Sequence, residues 1–201
     1  MKDIFEIKDI EKIYDILDSA EYGTLALSKG VVPYSVPLNF VRIDSCIYFH
    51  GSQFGKKMRF LDINKNVSFS VVKPYSIIAS YFSSNSGLAC PATHFFESVS
   101  IDGVAEVVKN SELKAKVLNA LMQKLQPEGN YKNLTDKIYT NSISKTAIVK
   151  ITPYKIRAKA KLGQHLPNER FTMIVNSLQK RGSKLDLQTI DKMREFREIN
   201  N

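Results

Sequence analysis

Hydrophobic positions along the chain change period several times, and each change predicts an element. Ile10, Ile13, Tyr14, Ile16 and Leu17 recur at helical spacing, predicting an amphipathic opening helix that ends near Gly23. From Thr24 the period becomes two. Thr24 to Leu27 reads as a strand, Lys29-Gly30 as a turn, and Tyr34, Val36, Leu38 and Phe40 alternate as in a half-buried strand. Pro37 inside that strand cannot donate to a ladder, so it marks an edge, a bulge or a place where another group meets the backbone. After a turn at Asp44-Ser45, Ile47 to His50 reads as a further strand, and Phe54 to Asn64 as a short helix.

The second half repeats the change of period. Val67, Phe69 and Val71 alternate, Ile77 to Phe82 reads as another strand, and the small residues of Ser83 to His94 read as a loop. Val99 to Val107 predicts a long strand with Gly103 as its weak point. Leu113, Val117, Leu118, Leu121 and Leu125 give the clearest helix, capped by Asn110 or Ser111 and closed before Pro127. Ala147 to Ile151 and Tyr154 to Ala158 return to strand character on either side of Pro153. Pro167 opens a helix with a face of Phe171, Ile174, Val175 and Leu178, stopped by Gly182, and Asp186 to Glu198 reads as a final basic helix. Strands rarely separated by helices argue an antiparallel barrel or sandwich with helices attached, and against a Rossmann domain.

Composition narrows the reading. A chain of 201 residues that is 43% hydrophobic and 24% charged suits one globular domain. No apolar run is long enough to span a membrane, and the N-terminus has no apolar core of a signal peptide, so a cytoplasmic protein is expected. Cys46 and Cys90 make neither a disulfide framework nor a metal pair, and no metal is expected. Residues 145–201 hold 13 of the 29 Lys and Arg but only 5 of the 20 Asp and Glu, so nearly all of the +9 net charge lies there. These cations are dispersed and not interleaved with base-stacking aromatics, and nucleic acid is not expected as a partner.

Candidate chemistry concentrates in "YFHGSQFGKKMRF", Tyr48 to Phe60. A strand ends in small residues, and Gly55-Lys56-Lys57 opens a helix whose first N–H groups are free, the arrangement of an anion cradle. No GxGxxG or GxxxxGK[ST] occurs, which removes the commonest nucleotide signatures. His50 has the side chain that donates or accepts a proton near neutral pH. His94 and His165 lack metal-ligand spacing with it, and Ser98 lacks a hydrolase context.

Three blocks, "EYGTLALSKGVVPYSVPLNFV", "IYFHGSQFGKKMRFLDINKNVSFSVV" and "ACPATHFFESVSIDGVAEVV", resemble the Nim (5-nitroimidazole resistance) proteins of the FMN-binding split-barrel superfamily, which includes pyridoxamine 5'-phosphate oxidase. The resemblance covers about residues 8–160. It implies a mainly β protein, a six-stranded antiparallel split barrel over residues 1–160, with 161–201 a basic helical extension on the same domain. It also implies a homodimer with FMN at the subunit interface. Carried onto this chain, Lys56 meets the FMN phosphate with Lys57 beside it in a lesser role. Val36, Pro37, Leu38 and Asn39 line the isoalloxazine, Tyr48, Phe49, His50 and Gly55 complete the wall, and Ser98 and Val99 sit beside the flavin. His50 is the catalytic candidate, assisting reduction.

The implied activity is reduction of a small electron-poor substrate, with a nicotinamide nucleotide as electron donor. The chain departs from the oxidases in having no tryptophan and in reading "IRAKAKLGQHLPNER" where they carry an arginine-rich segment, so pyridoxamine phosphate oxidation is not expected. Two alternatives follow from relatives with the same barrel. One is a haem-binding or haem-degrading protein with His165 as an iron ligand. The other is an FMN-binding transcriptional regulator whose basic tail meets DNA.

Overall fold

The computed structural model describes residues 2–199, and of Ile199 only the backbone. In chain order the main elements are α1 (Ile10–Ser19), β1 (Gly23–Lys29), β2 (Val32–Leu38), β3 (Val41–Ile43), β4 (Cys46–Ser52), α2 (Lys56–Ile63), β5 (Asn66–Ile78), β6 (Thr93–Val107), α3 (Ser111–Leu125), α4 (Thr140–Lys145), β7 (Thr146–Lys161), α5 (Asn168–Arg181) and α6 (Lys184–Ile199). The strands form one sheet in the order β2-β1-β5-β6-β7-β4-β3. All four registered pairs are antiparallel, and short turns join two of them, β1–β2 and β3–β4. The sheet has seven strands and not the six expected, because the three residues of β3 pair with Cys46–Tyr48 across the Asp44-Ser45 turn.

Two expected breaks are absent. Val67–Val71 and Ile77 belong to one strand despite Pro74, and β7 runs through Pro153. The registers explain this. β1 pairs with β5 only at Ser68–Ser70, and β4 pairs with β7 only at residues 146–151. Each proline lies beyond the end of its neighbour's ladder, so on that side its missing N–H costs no bond. Tyr81 and Phe82, expected to extend a strand, instead form a 3-10 turn at Ser80–Phe82. The short α4 has no amphipathic period to announce it.

Local signals otherwise act where the sequence places them. Asn110 caps α3 by accepting from the Leu113 N–H at 2.8 Å. Pro167 precedes α5, and Gly182 ends it at φ 69°, a left-handed conformation that favours glycine. Pro37 sits on β2, which bonds only to β1 and is therefore an edge, one of the three readings open for it.

The chain divides into two compact units, each discontinuous in sequence. The first holds the N-terminal residues to Ile16, Val72–Val99, and the chain from Arg157 onward. Its buried apolar side chains include Ile13, Tyr75, Phe95, Ile174, Leu178 and Met193. The second holds Leu17–Val71 and Ser100–Ile156. There Val41, Tyr48, Ile148, Val117 and Leu121 form a cluster between α3 and the β3–β4–β7 part of the sheet. The residues from 161 onward thus fall in a unit that also contains the chain's first helix turns. No helix among the described residues is long and apolar enough to cross a membrane.

Candidate anion site at the start of the second helix

Within the second unit, β4 runs into the loop of residues 53–55 and then α2. Ser52 Oγ accepts from the Phe54 N–H at 3.2 Å, and Gln53 Nε2 donates to the Ser144 carbonyl at 2.5 Å, fixing the loop against the end of α4. Gly55 is the N-cap at φ 117°, a conformation that side chains avoid. It offers no side chain to cap the helix, and the first turn contains no acid. What the first turn does contain is Lys56 and Lys57. Cations at a helix N-terminus oppose the macrodipole, so by itself this sequence weakens the helix.

The two lysines differ. Lys56 is exposed, its ammonium 4.5 Å above the Tyr34 ring of β2. Lys57 is half-buried, 4.8 Å from the Phe49 ring. A Cβ on Gly51 would come within 2.9 Å of the Lys57 Nζ, so the absent side chain at 51 makes the ammonium's seat. Burial pushes the Lys57 pKa down, and no carboxylate lies within ion-pair reach of it among the described residues. Of the two, it is Lys57 that lies against β4, whereas the resemblance assigns the phosphate to Lys56.

Strand alternation divides the rest of the expected set. Phe49 and Gly51 face Lys57, while Tyr48 and His50 take the opposite face, where Tyr48 packs with the α3 cluster. His50 is exposed, and its pKa is lowered, first by partial desolvation and then by the Lys57 ammonium. On β2, Val36 and Leu38 are half-buried and Pro37 is exposed. Asn39, just beyond, donates from Nδ2 to the Glu21 carbonyl at 3.1 Å. Tyr34 joins them through its ring contact with Phe60 of α2 at 5.4 Å, a residue the sequence reading left out although its period-two place on β2 pointed to it. Ser98 is half-buried and Val99 buried on β6, within the first unit. His165 is exposed and stacks edge-on against Phe5 at 5.1 Å; no metal-binding cluster of three or more His, Cys, Asp or Glu occurs among the described residues.

The donor set suits a phosphate. A monoester carries about −1.5 to −2 charges at neutral pH, and it would supply the counter-charge that both Lys57 and the uncapped helix start lack.

Comparison with known proteins bears on what such a phosphate would belong to. A family model described as pyridoxamine 5'-phosphate oxidase matches residues 9–160. No curated protein matches. Among solved structures, a candidate 5-nitroimidazole antibiotic resistance protein from Bacteroides thetaiotaomicron is 19% identical with a TM-score of 0.63, over 77% of this chain and 85% of that one. A flavocytochrome from Azotobacter vinelandii is 22% identical with a TM-score of 0.66, over 78% and 69%. A FAD and haem binding protein from Mycobacterium smegmatis is 20% identical with a TM-score of 0.60, over 78% and 73%. At such identities the likeness shows the fold, a mainly β, split-barrel-like architecture with helices attached.

Proposed function

The chain belongs to the pyridoxamine 5'-phosphate oxidase family, and on that premise we propose that it is a flavoprotein that holds FMN by its phosphate at Lys57 and the start of α2. The observation that carries this reading is the half-buried Lys57 ammonium without a carboxylate partner among the described residues, seated under Gly51 beside an uncapped helix start. Charge-assisted hydrogen bonds to a phosphate are worth roughly 1.5–3 kcal/mol each, enough to offset the unfavourable first turn. Lys56 adds a second cation at the rim. Val36, Pro37 and Leu38 of β2 present apolar side chains and an unpaired strand edge to the ring system, with Asn39 just beyond.

When bound, the flavin would supply two-electron transfer from a nicotinamide nucleotide to a small electron-poor acceptor, such as a nitroaromatic compound. The residues of the chain orient it and move the proton. His50, on the face of β4 opposite Lys57, is proposed as the proton donor to the acceptor and not as a contact to the phosphate. An anion at Lys57 would neutralise one of the two causes that lower the His50 pKa, raising the protonated fraction when the site is filled. A second copy of the chain is proposed to cover the β2 edge, where Val32 is half exposed and Val31 almost wholly so. A dimer holding FMN between its subunits would sediment as a dimer at micromolar concentration.

FMN titration of the apo-protein tests the assignment. Lys57→Glu should weaken FMN binding by roughly 10³-fold, several kcal/mol at ~1.4 kcal/mol per decade, and Lys56→Glu by less. Equal affinity in the parent and Lys57→Glu would remove this phosphate site. His50→Ala should keep FMN but slow nitroaromatic turnover by about 10²-fold.

A further inference from the structure

A small charged cleft of about 110 Å³ lies in the first unit and uses none of the residues proposed to hold FMN. Lys73 and Tyr75 lie two residues apart on β5, which puts them on one face, and Glu97 on β6 meets them there. Glu97 is only 3% exposed. Its Oε2 accepts from the Tyr75 hydroxyl at 2.8 Å. Burial, then the Glu97 charge, pushes the Tyr75 phenol far up, so it remains a proton-bearing donor to that carboxylate. The other oxygen, Oε1, has no hydrogen-bond or ion-pair partner among the described residues.

The remaining charges of the cleft are mostly matched. Glu195 accepts from Lys12 at 2.6 Å through Oε1 and from Lys192 at 2.7 Å through Oε2. Burial alone would raise the Glu195 pKa, but those two lysines hold it below the usual value. Asp15 is exposed at the rim and solvated. Lys73 is half-buried and has no carboxylate within ion-pair reach among the described residues, Glu97 included. Lys192, held by Glu195, also feels the Glu97 charge, but Glu97 Oε1 and Lys73 have no direct partner of their own and face one small space with opposite charges. Glu97 Oε1 is reached by solvent from the cleft, where it is free to accept from a ligand donor.

We propose that this cleft binds a small zwitterion of the α-amino-acid class, its ammonium on the free oxygen of Glu97 and its carboxylate on Lys73. A lone cation would leave Lys73 unmatched, and a lone anion would leave Glu97 unmatched. The volume is well below the ~300–1,000 Å³ of pockets for drug-sized ligands, so the side chain must be short, as in glycine or alanine.

Calorimetric titration of the full chain with glycine tests this, with methylammonium and acetate as single-charge probes. Glycine should bind saturably, and each single-charge probe at least tenfold more weakly. Lys73→Met and Glu97→Gln should each weaken glycine binding at least tenfold. Lys73 is partly exposed, so Lys73→Met should fold, and it decides the matter if thermal melts show that Glu97→Gln does not. Absence of saturable glycine binding by the parent would overturn the proposal. So would unchanged affinity in Lys73→Met, or a single-charge probe that matches glycine.

Discussion

Asp186 and Lys57 are both charges withdrawn from water, and their surroundings could hardly differ more. Asp186 is fully buried in the first unit. It accepts from Arg181 at 2.9 Å and 2.5 Å, from Ser76 Oγ at 2.5 Å and from the Ser183 N–H at 3.1 Å, while Ser183 Oγ accepts from the Asp186 N–H at 3.1 Å. Thr189 adds a hydrogen bond to Ser76 Oγ, closing the network between α6 and β5. Lys57, in the second unit, has an aromatic face beside it and no counter-charge among the described residues. A charge whose partners all come from its own chain is a structural tie. A charge whose partner is missing points to a ligand. The same contrast separates Glu195, saturated by two lysines, from Glu97, with one oxygen unmatched.

The largest expected effect breaks the completed network. Asp186→Ala leaves Ser76 and the Ser183 N–H without their acceptor and releases the Arg181 guanidinium, which is 40% exposed and can be hydrated, so the loss should be about 1–3 kcal/mol. Urea denaturation should show that loss, and a change within about 0.5 kcal/mol would mean that the network does not tie α6 to β5. The hydrogen bond from Arg181, then those from Ser76 and Ser183, hold the Asp186 pKa well below the usual carboxylate range against the opposing effect of burial. A depressed folded pKa means that the unfolded chain binds more protons as the pH falls through the ordinary value near ~3.9. The stability from Asp186 is therefore present above that value and is lost progressively below it. Asp186→Asn should flatten this part of the acid limb, and an identical limb in both proteins would speak against it.

Lys57→Met should behave in the opposite way. Removing an uncompensated, half-buried cation should leave apo-protein stability unchanged or slightly higher, while FMN binding weakens. The pH dependence also has a definite sign. The folded Lys57 pKa is lowered, so between it and the ordinary value near ~10.4 the unfolded chain holds more protons, and stability from this group rises with pH. Urea midpoints of parent and Lys57→Met compared across the alkaline range would show whether the slope belongs to this residue.

How much of this was legible in the sequence follows from how local each signal is. The Asn110 cap, the Pro167 start and the Gly182 stop each act within a few residues, and each stands where the sequence places it. The continuity of β5 and β7 through their prolines depends on where neighbouring ladders end, which no local pattern contains. The Gly55-Lys56-Lys57 helix start was visible as spacing, but which lysine is half-buried depends on which side of α2 meets β4, again beyond any local pattern. Ser183 to Asp186 carries the Ser-x-x-Asp pattern of a reciprocal helix cap, a signal that could have marked this turn. Its pairing with Ser76, 110 residues away, could not be read from spacing.

A smaller effect sharpens the contrast at His50. Its ring should titrate below ~6.5 in the apo-protein, and Lys57→Met should move the midpoint part of the way back, since desolvation remains as the first cause. Proton NMR of the imidazole follows both. A midpoint unmoved by Lys57→Met would mean that the ammonium does not reach His50 electrostatically.

The central claim is that Lys57 awaits a phosphate, and the most direct measurement compares FMN with riboflavin, which lacks only that group. Fluorescence titrations at fixed salt should show the parent preferring FMN by about 10²-fold or more, and Lys57→Met losing most of that preference while keeping its affinity for riboflavin. Equal binding of FMN and riboflavin by the parent, or a preference that survives in Lys57→Met, would contradict it.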